Sequence, residues 1–243
     1  MGGVSFGFAG FAFAVFATAA LALVAPPHVA IPTVMLVADT LALPMLWMHR
    51  GHLDRALLRT VPPFTRASLA LVVAGLMLGA FLLGHVSSAA GRLALATVIL
   101  VFVAFQVRRR SAGSGPTPTR WWSGQAMAAF GGGLLDGWLS TGGVVIAMFL
   151  TARRLALARF VTAIVAYFLA TDAIRAVTYA ALGYWTTATV ALYLRTAPVA
   201  LAGFVAGMLL RRFLASEGMF RAAVLALLTA YAVALIARAV LAR

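Results

Sequence analysis

The chain of 243 residues contains no cysteine. Disulfides, thiolate metal sites and a cysteine nucleophile are thereby excluded. Lysine is missing too: all 19 basic residues are arginine, against only 5 acidic ones. Charged residues make up 10% of the chain, where soluble globular domains carry about 25%. The histidines, His28, His49, His52 and His85, stand near the ends of apolar runs and are too scattered for metal-ligand spacing, so neither a metal nor another cofactor is expected. No histidine follows His85, which leaves Ser140 without the nearby base a serine nucleophile needs, and no catalytic residue is assigned.

What fills the chain instead is apolar: 64% of residues are hydrophobic, and the mean hydropathy is +1.03. That composition identifies an all-α polytopic membrane protein whose first partner is the lipid bilayer. A net charge of +14 would suit a nucleic-acid binder, but the arginines sit at the ends of apolar runs, where they report topology, and no nucleic-acid partner is expected. The N-terminal stretch MGGVSFGFAG lacks a basic n-region and is read as part of the mature fold.

The hydropathy pattern predicts about seven or eight segments. They run over residues 4–24, 29–48, 67–83, 93–107, 125–150, 160–182, 189–210 and 220–241. Between the fourth and fifth lies RRRSAGSGPTPTR, residues 108–120, too polar for lipid and too broken for a helix. It divides a first membrane repeat, residues 1–107, from a second, residues 121–243. Gly51 matches Gly183, Gly75-x-x-x-Gly79 matches Gly203-x-x-x-Gly207, and Arg92 matches Arg221 in the same order, which argues for a duplicated unit.

If every segment spanned, Arg50, Arg55, Arg59 and Arg108 to Arg110 would face Arg153, Arg154, Arg159, Arg211 and Arg212 across the membrane, against the positive-inside rule. The fifth segment, with Gly131 to Gly133, Gly137 and Gly142-Gly143, is therefore expected to enter, turn and leave on one face. If the first does the same, each half holds three spanning helices plus a broken or re-entrant segment, and an odd number makes the halves inverted.

Taken together, GGGLLDGWLSTGG, ARRLALARFVTA and FLATDAIRAVTYAALG in the second half, with APPHVAIPTVMLVAD and HRGHLD in the first, resemble the TauE/SafE family of sulfite and organosulfonate exporters over nearly the whole chain. In the first half the Gly cluster usual in that family is mostly Ala and Thr. The resemblance implies a secondary transporter in the cytoplasmic membrane of a bacterium or archaeon, exporting a small sulfur-containing anion. A homo-oligomer is compatible with it. An intramembrane enzyme and a non-transporting assembly subunit are the rival classes; the lack of a base partner for Ser140 disfavours the first, and the duplicated plan and the mid-membrane charges disfavour the second.

For such a transporter the residues weigh as follows. The run of residues 160–185 is long enough to cross a bilayer and carries Asp172 and Arg175 in its middle, three apart and so on one helix face. Ionisable groups at that depth usually face a protein interior or an aqueous path. Arg175 is expected to bind the oxyanion, and Asp172 to pair with it structurally or to carry a proton. Ser140, Thr141, Gly142 and Gly143 are expected to offer hydroxyls and backbone N–H groups where a half-helix begins, although close packing explains glycines equally well. Asp39 and Thr40 align within a residue of Thr171 and Asp172, so both pairs are candidates to line one cavity. Asp136 is read as a helix cap or a proton carrier. Arg195 is read as snorkelling to the interface, and Trp121, Trp122, Tyr184 and Trp185 as an aromatic belt.

Overall fold

The computed structural model describes residues 17–59, 61–62, 64–111, 124–152, 155–210 and 217–241. The remainder of the first segment and of the 108–120 linker lies outside the described residues, as do Arg153, Arg154, Arg211 and Arg212. All elements are helical: α1, described over residues 17–24; α2, Pro27–His49; a 3-10 turn, Arg50–His52; α3, Arg55–Leu58; α4, Arg66–His85; α5, Ser88–Ser111; α6, Gln125–Leu139; α7, Gly142–Ala152; α8, Leu157–Ala181; α9, Thr187–Leu210; and α10, Glu217–Leu241. Among the described residues there is no strand. Five of these helices are long and apolar enough to cross a membrane, over Pro27–His52, Arg66–His85, Ser88–Arg108, Ala158–Ala181 and Thr187–Val205.

The fifth apolar segment is the exception. It breaks into α6 and α7, which pack against each other. Gln125, opening α6, donates to Thr65 at the start of α4 (3.3 Å), and Arg159, just inside α8, pairs with Asp54 ahead of α3. The entry to α6 and the exit from α7 therefore lie at one end of the bundle. At about 1.5 Å per residue the 11 residues of α7 reach about 16 Å, roughly half of a hydrocarbon core. That same end holds exposed Arg50, Arg55, Arg59, Arg66 and Arg108. At the other end Arg92 and Arg238 donate to the carbonyls of Ala22 and Leu23, which closes the C-terminus of α1 with cations, as the helix dipole favours.

Burial separates the helices by position. Most of α2 and α8 is covered by protein, whereas α9 is largely exposed, as an outer helix in lipid would be. α7 sits in the largest apolar cluster, where Ile146, Phe149 and Leu150 meet Leu95 and Ile99 of α5, Ile164 of α8 and Leu228 and Leu235 of α10. α4 lies against α6 backbone to backbone. A Cβ on Gly75 would stand 2.4 Å from Phe130 O, one on Gly79 2.3 Å from Leu134 O, one on Gly133 2.5 Å from Val72 O and one on Gly137 2.3 Å from Leu76 O. Two Gly-x-x-x-Gly faces thus interlock, and for Gly133 and Gly137 close packing is what the structure displays.

Three expectations change. α5 continues through Arg108–Ser111, so the beginning of the supposed linker is helix. Gly51 and Gly183 are not equivalent: Gly183 has φ +74° and ends α8, with Tyr184 N–H returning to Tyr179 O (2.9 Å), while Gly51 lies in a 3-10 turn. A Cβ on Gly203 would meet nothing within 4 Å, unlike one on Gly75.

Candidate functional site

The break between α6 and α7 is built by local chemistry. Ser140 takes the left-handed conformation, φ 52° and ψ 33°, which costs a non-glycine residue about 1–2 kcal/mol. Its N–H donates to Asp136 O (3.1 Å) and that of Thr141 to Leu135 O (3.2 Å), consuming the last carbonyls of α6. α7 then starts at Gly142. A Cβ there would lie 2.1 Å from Gly132 O and 2.7 Å from Asp136 Cβ, so only glycine fits. Asp136 Oδ1 accepts from the Gly142 N–H at 3.2 Å. Asp136, held by the last turn of one half-helix, caps the first turn of the next.

α8 brings a polar stripe against this break. Tyr167, Thr171, Arg175 and Tyr179 follow one another at steps of four, on one helix face, and all four are buried. Arg175 Nη1 donates to Asp136 O (2.6 Å) and Ser140 Oγ (2.9 Å), with Asp136 Oδ1 at 3.5 Å, and Nη2 donates to Asp172 Oδ1 (2.5 Å). Thr171 Oγ1 donates to Asp136 Oδ2 (3.1 Å). Tyr179 OH donates to Gly137 O (2.8 Å), and its ring centroid lies 5.8 Å from the Arg175 guanidinium carbon, close enough for a cation–π contribution. One guanidinium therefore ties α8 to the last turn of α6 and to the turn residue Ser140.

From α2, the Asp39 carboxyl reaches that of Asp172. Among the described residues five buried side-chain polar atoms have no hydrogen-bond partner: Asp39 Oδ1, Asp172 Oδ2, Thr141 Oγ1, Tyr167 OH and Arg175 Nε. Native structures leave few such groups, and each calls for an explanation. Three of them can donate, Arg175 Nε with a full charge and Thr141 and Tyr167 through hydroxyls, the Tyr167 hydroxyl facing the Asp136 carboxyl beyond good hydrogen-bond geometry. A donor set of this kind suits an oxyanion. The N-terminal N–H of α7, in contrast, is already used by Asp136.

Of the residues singled out in sequence, Asp136, Ser140, Gly142, Thr171, Asp172 and Arg175 are brought together by hydrogen bonds, and Asp39 joins through Asp172. Thr141 and Gly143 are buried at the break. Thr40 is not part of the group: its Oγ1 donates to Leu36 O (2.8 Å) and lies 3.0 Å from Tyr193 OH of α9. Tyr184 and Trp185 turn inward, bonding Ala80 O (3.1 Å) and Ala176 O (3.0 Å) and meeting Tyr179 edge-on at 5.4 and 6.2 Å. Trp121 and Trp122 lie outside the described residues. Tyr167 and Tyr179 escaped the sequence reading, although their four-residue steps from Thr171 and Arg175 were a usable signal. Among the described residues no three of His, Asp and Glu gather into a metal-binding group.

Residues 1–235 match the family described as Sulfite exporter TauE/SafE. No curated protein and no solved structure matches the chain.

Proposed function

Because the chain belongs to the sulfite exporter TauE/SafE family, we propose that it is a secondary transporter that moves sulfite or an organosulfonate outward across the cytoplasmic membrane, with Arg175 as the anion's main partner. The observation that carries the reading is the buried Arg175 guanidinium at the tip of a broken helix pair, with Nε unpartnered alongside the unpartnered hydroxyls of Thr141 and Tyr167. Charge-assisted bonds from a guanidinium are the strongest a protein offers a small oxyanion. Thr141 and Tyr167 add neutral donors, Ser140 and Asp136 hold the guanidinium in place, and Gly142 keeps the turn narrow.

Directionality supports an inverted pair of halves. α2 and α5 run toward the arginine-rich end and α4 away from it, whereas α8 and α10 run away and α9 toward it, as the contacts Arg159–Asp54, Arg92–Ala22, Arg238–Leu23 and Tyr184–Ala80 require. The arginine-rich end is cytoplasmic in this reading. With an inside-negative potential each negative charge leaving gains about 2.3 kcal/mol per 100 mV, which drives export.

Ser140 is not a nucleophile on this account, since its Oγ meets Arg175 Nη1 (2.9 Å) and Ile31 O (3.4 Å) and neither is a base. Thermal melts of the purified protein with sulfite, sulfate, taurine, sulfoacetate and acetate test the proposal, because a ligand of the folded state raises the melting temperature by mass action. A sulfite or sulfonate should stabilise and acetate should not. Equal response to acetate, or none to any sulfur oxyanion, would overturn it.

A further inference from the structure

The site holds more negative than positive groups. Asp39, Asp136 and Asp172 surround a single guanidinium, so three carboxylates and one cation would sum to −2. The three carboxyls are unequally supported. Asp136 accepts from the Gly142 N–H and Thr171 Oγ1 and has Arg175 beside it. Asp172 uses one oxygen on Arg175, while its Oδ2 and Asp39 Oδ1 are buried without a donor. These two carboxyls reach each other across the α2–α8 contact.

Among the described residues no other charge comes to their aid. α8 contributes Tyr167, Arg175 and Tyr179, and α6 contributes Asp136. α9, packed on α2, brings Tyr193, engaged with Thr40, and Arg195, which is exposed. α4 and α7 have no titratable side chain at this depth. Two carboxylates in contact away from water cannot both ionise without strong repulsion, and the pair behaves as one titrating unit. A proton turns two opposed acceptors into a donor and an acceptor.

We propose that Asp39 and Asp172 form a proton-binding pair, and that the proton is taken up together with the anion at Arg175. This deepens, and rests on, the reading of Arg175 as the anion's partner. An incoming anion competes with Asp172 for the guanidinium and adds negative charge beside the pair. Anion binding therefore draws a proton in, and the two are linked positively.

The probe is isethionate, a sulfonate whose own charge is fixed across the pH range. Its dissociation constant should rise about tenfold per pH unit above the titration of the pair, with up to one proton taken up per anion in weakly buffered solution containing an indicator dye. In Asp39→Asn that pH dependence should vanish. Infrared spectra in H2O and D2O supply a readout that needs no anion: a protonated-carboxyl band appearing as pH falls, with one component lost in Asp39→Asn and again in Asp172→Asn. Affinity independent of pH with no proton uptake in the wild-type protein would overturn the linkage. A band unchanged by both substitutions would overturn the pair itself. If isethionate binds at no pH, the Arg175 reading fails for sulfonates and the linkage with it, while the infrared titration still decides whether the pair holds a proton.

Discussion

Replacing Arg175 by Gln removes the cation that joins the end of α6 and the Ser140 turn to α8. Bonds at 2.6 Å to Asp136 O, 2.9 Å to Ser140 Oγ and 2.5 Å to Asp172 Oδ1 are lost or weakened. Gln reaches one of these partners at most. Asp172, only 2% exposed, is left as a buried carboxyl with no counter-charge, and breaking a buried pair on one side costs about 3–5 kcal/mol. Removing the carboxylate as well relieves most of that cost, since neutralising both partners of a buried pair is often nearly neutral. Asp172→Asn with Arg175→Gln should therefore cost less than Arg175→Gln alone, with a coupling of about 2–3 kcal/mol. Equilibrium unfolding in mixed detergent–SDS micelles measures all four corners of the cycle. The reasoning fails if Arg175→Gln stays within about 1 kcal/mol of wild type, or if the double variant costs the sum of the singles.

Ser140→Ala loses the bond to Arg175 and should cost about 1 kcal/mol, whereas Ser140→Gly loses the same bond but relieves the left-handed backbone and should melt close to wild type. Gly79→Ala and Gly137→Ala place a methyl 2.3 Å from a backbone carbonyl and should lower the melting temperature markedly; Gly131→Ala and Gly203→Ala, with nothing within 4 Å, should not. Single cysteines at Asp54 and Ala156 should react with an impermeant thiol reagent from the same side of the membrane, and labelling from opposite sides would refute the returning hairpin. The Leu57 N–H, with Arg159 adding, holds the Asp54 carboxyl below the usual carboxylate range. Its contribution is complete above the ordinary value and fades as pH falls through the lowered one, so melts of Asp54→Asn should lose less than wild type between neutral and acid pH.

The sequence carried the membrane class through hydropathy, and it carried the helix break through two independent marks, the Gly142-Gly143 pair and the arginines that alternation would have split. Asp172 and Arg175 were legible because ionised groups are rare within a span. The partners across helices were not. Periodicity tells which residues share a face of α8, so Tyr167 and Tyr179 could have been added to Thr171 and Arg175, but it does not tell which helix that face meets. Hence Thr40 was grouped with Asp39 although adjacent positions point about 100° apart on a helix, and one of them serves α9 instead. The glycine run likewise mixed two roles. Gly133 and Gly137 complement Gly75 and Gly79, and Gly142 makes the turn; spacing alone could not separate packing from break.

The measurement closest to the central claim is flux of isotope-labelled sulfite and a labelled sulfonate through proteoliposomes containing only this protein, with wild type beside Arg175→Lys. Lysine keeps the positive charge for Asp172 but has neither the guanidinium's fork nor its Nε donor. The account predicts saturable flux in wild type and a loss of about 10- to 150-fold in Arg175→Lys, the equivalent of about 1.5–3 kcal/mol of charge-assisted bonding. Equal flux through the two folded proteins, or no flux of either anion through wild type, would contradict it.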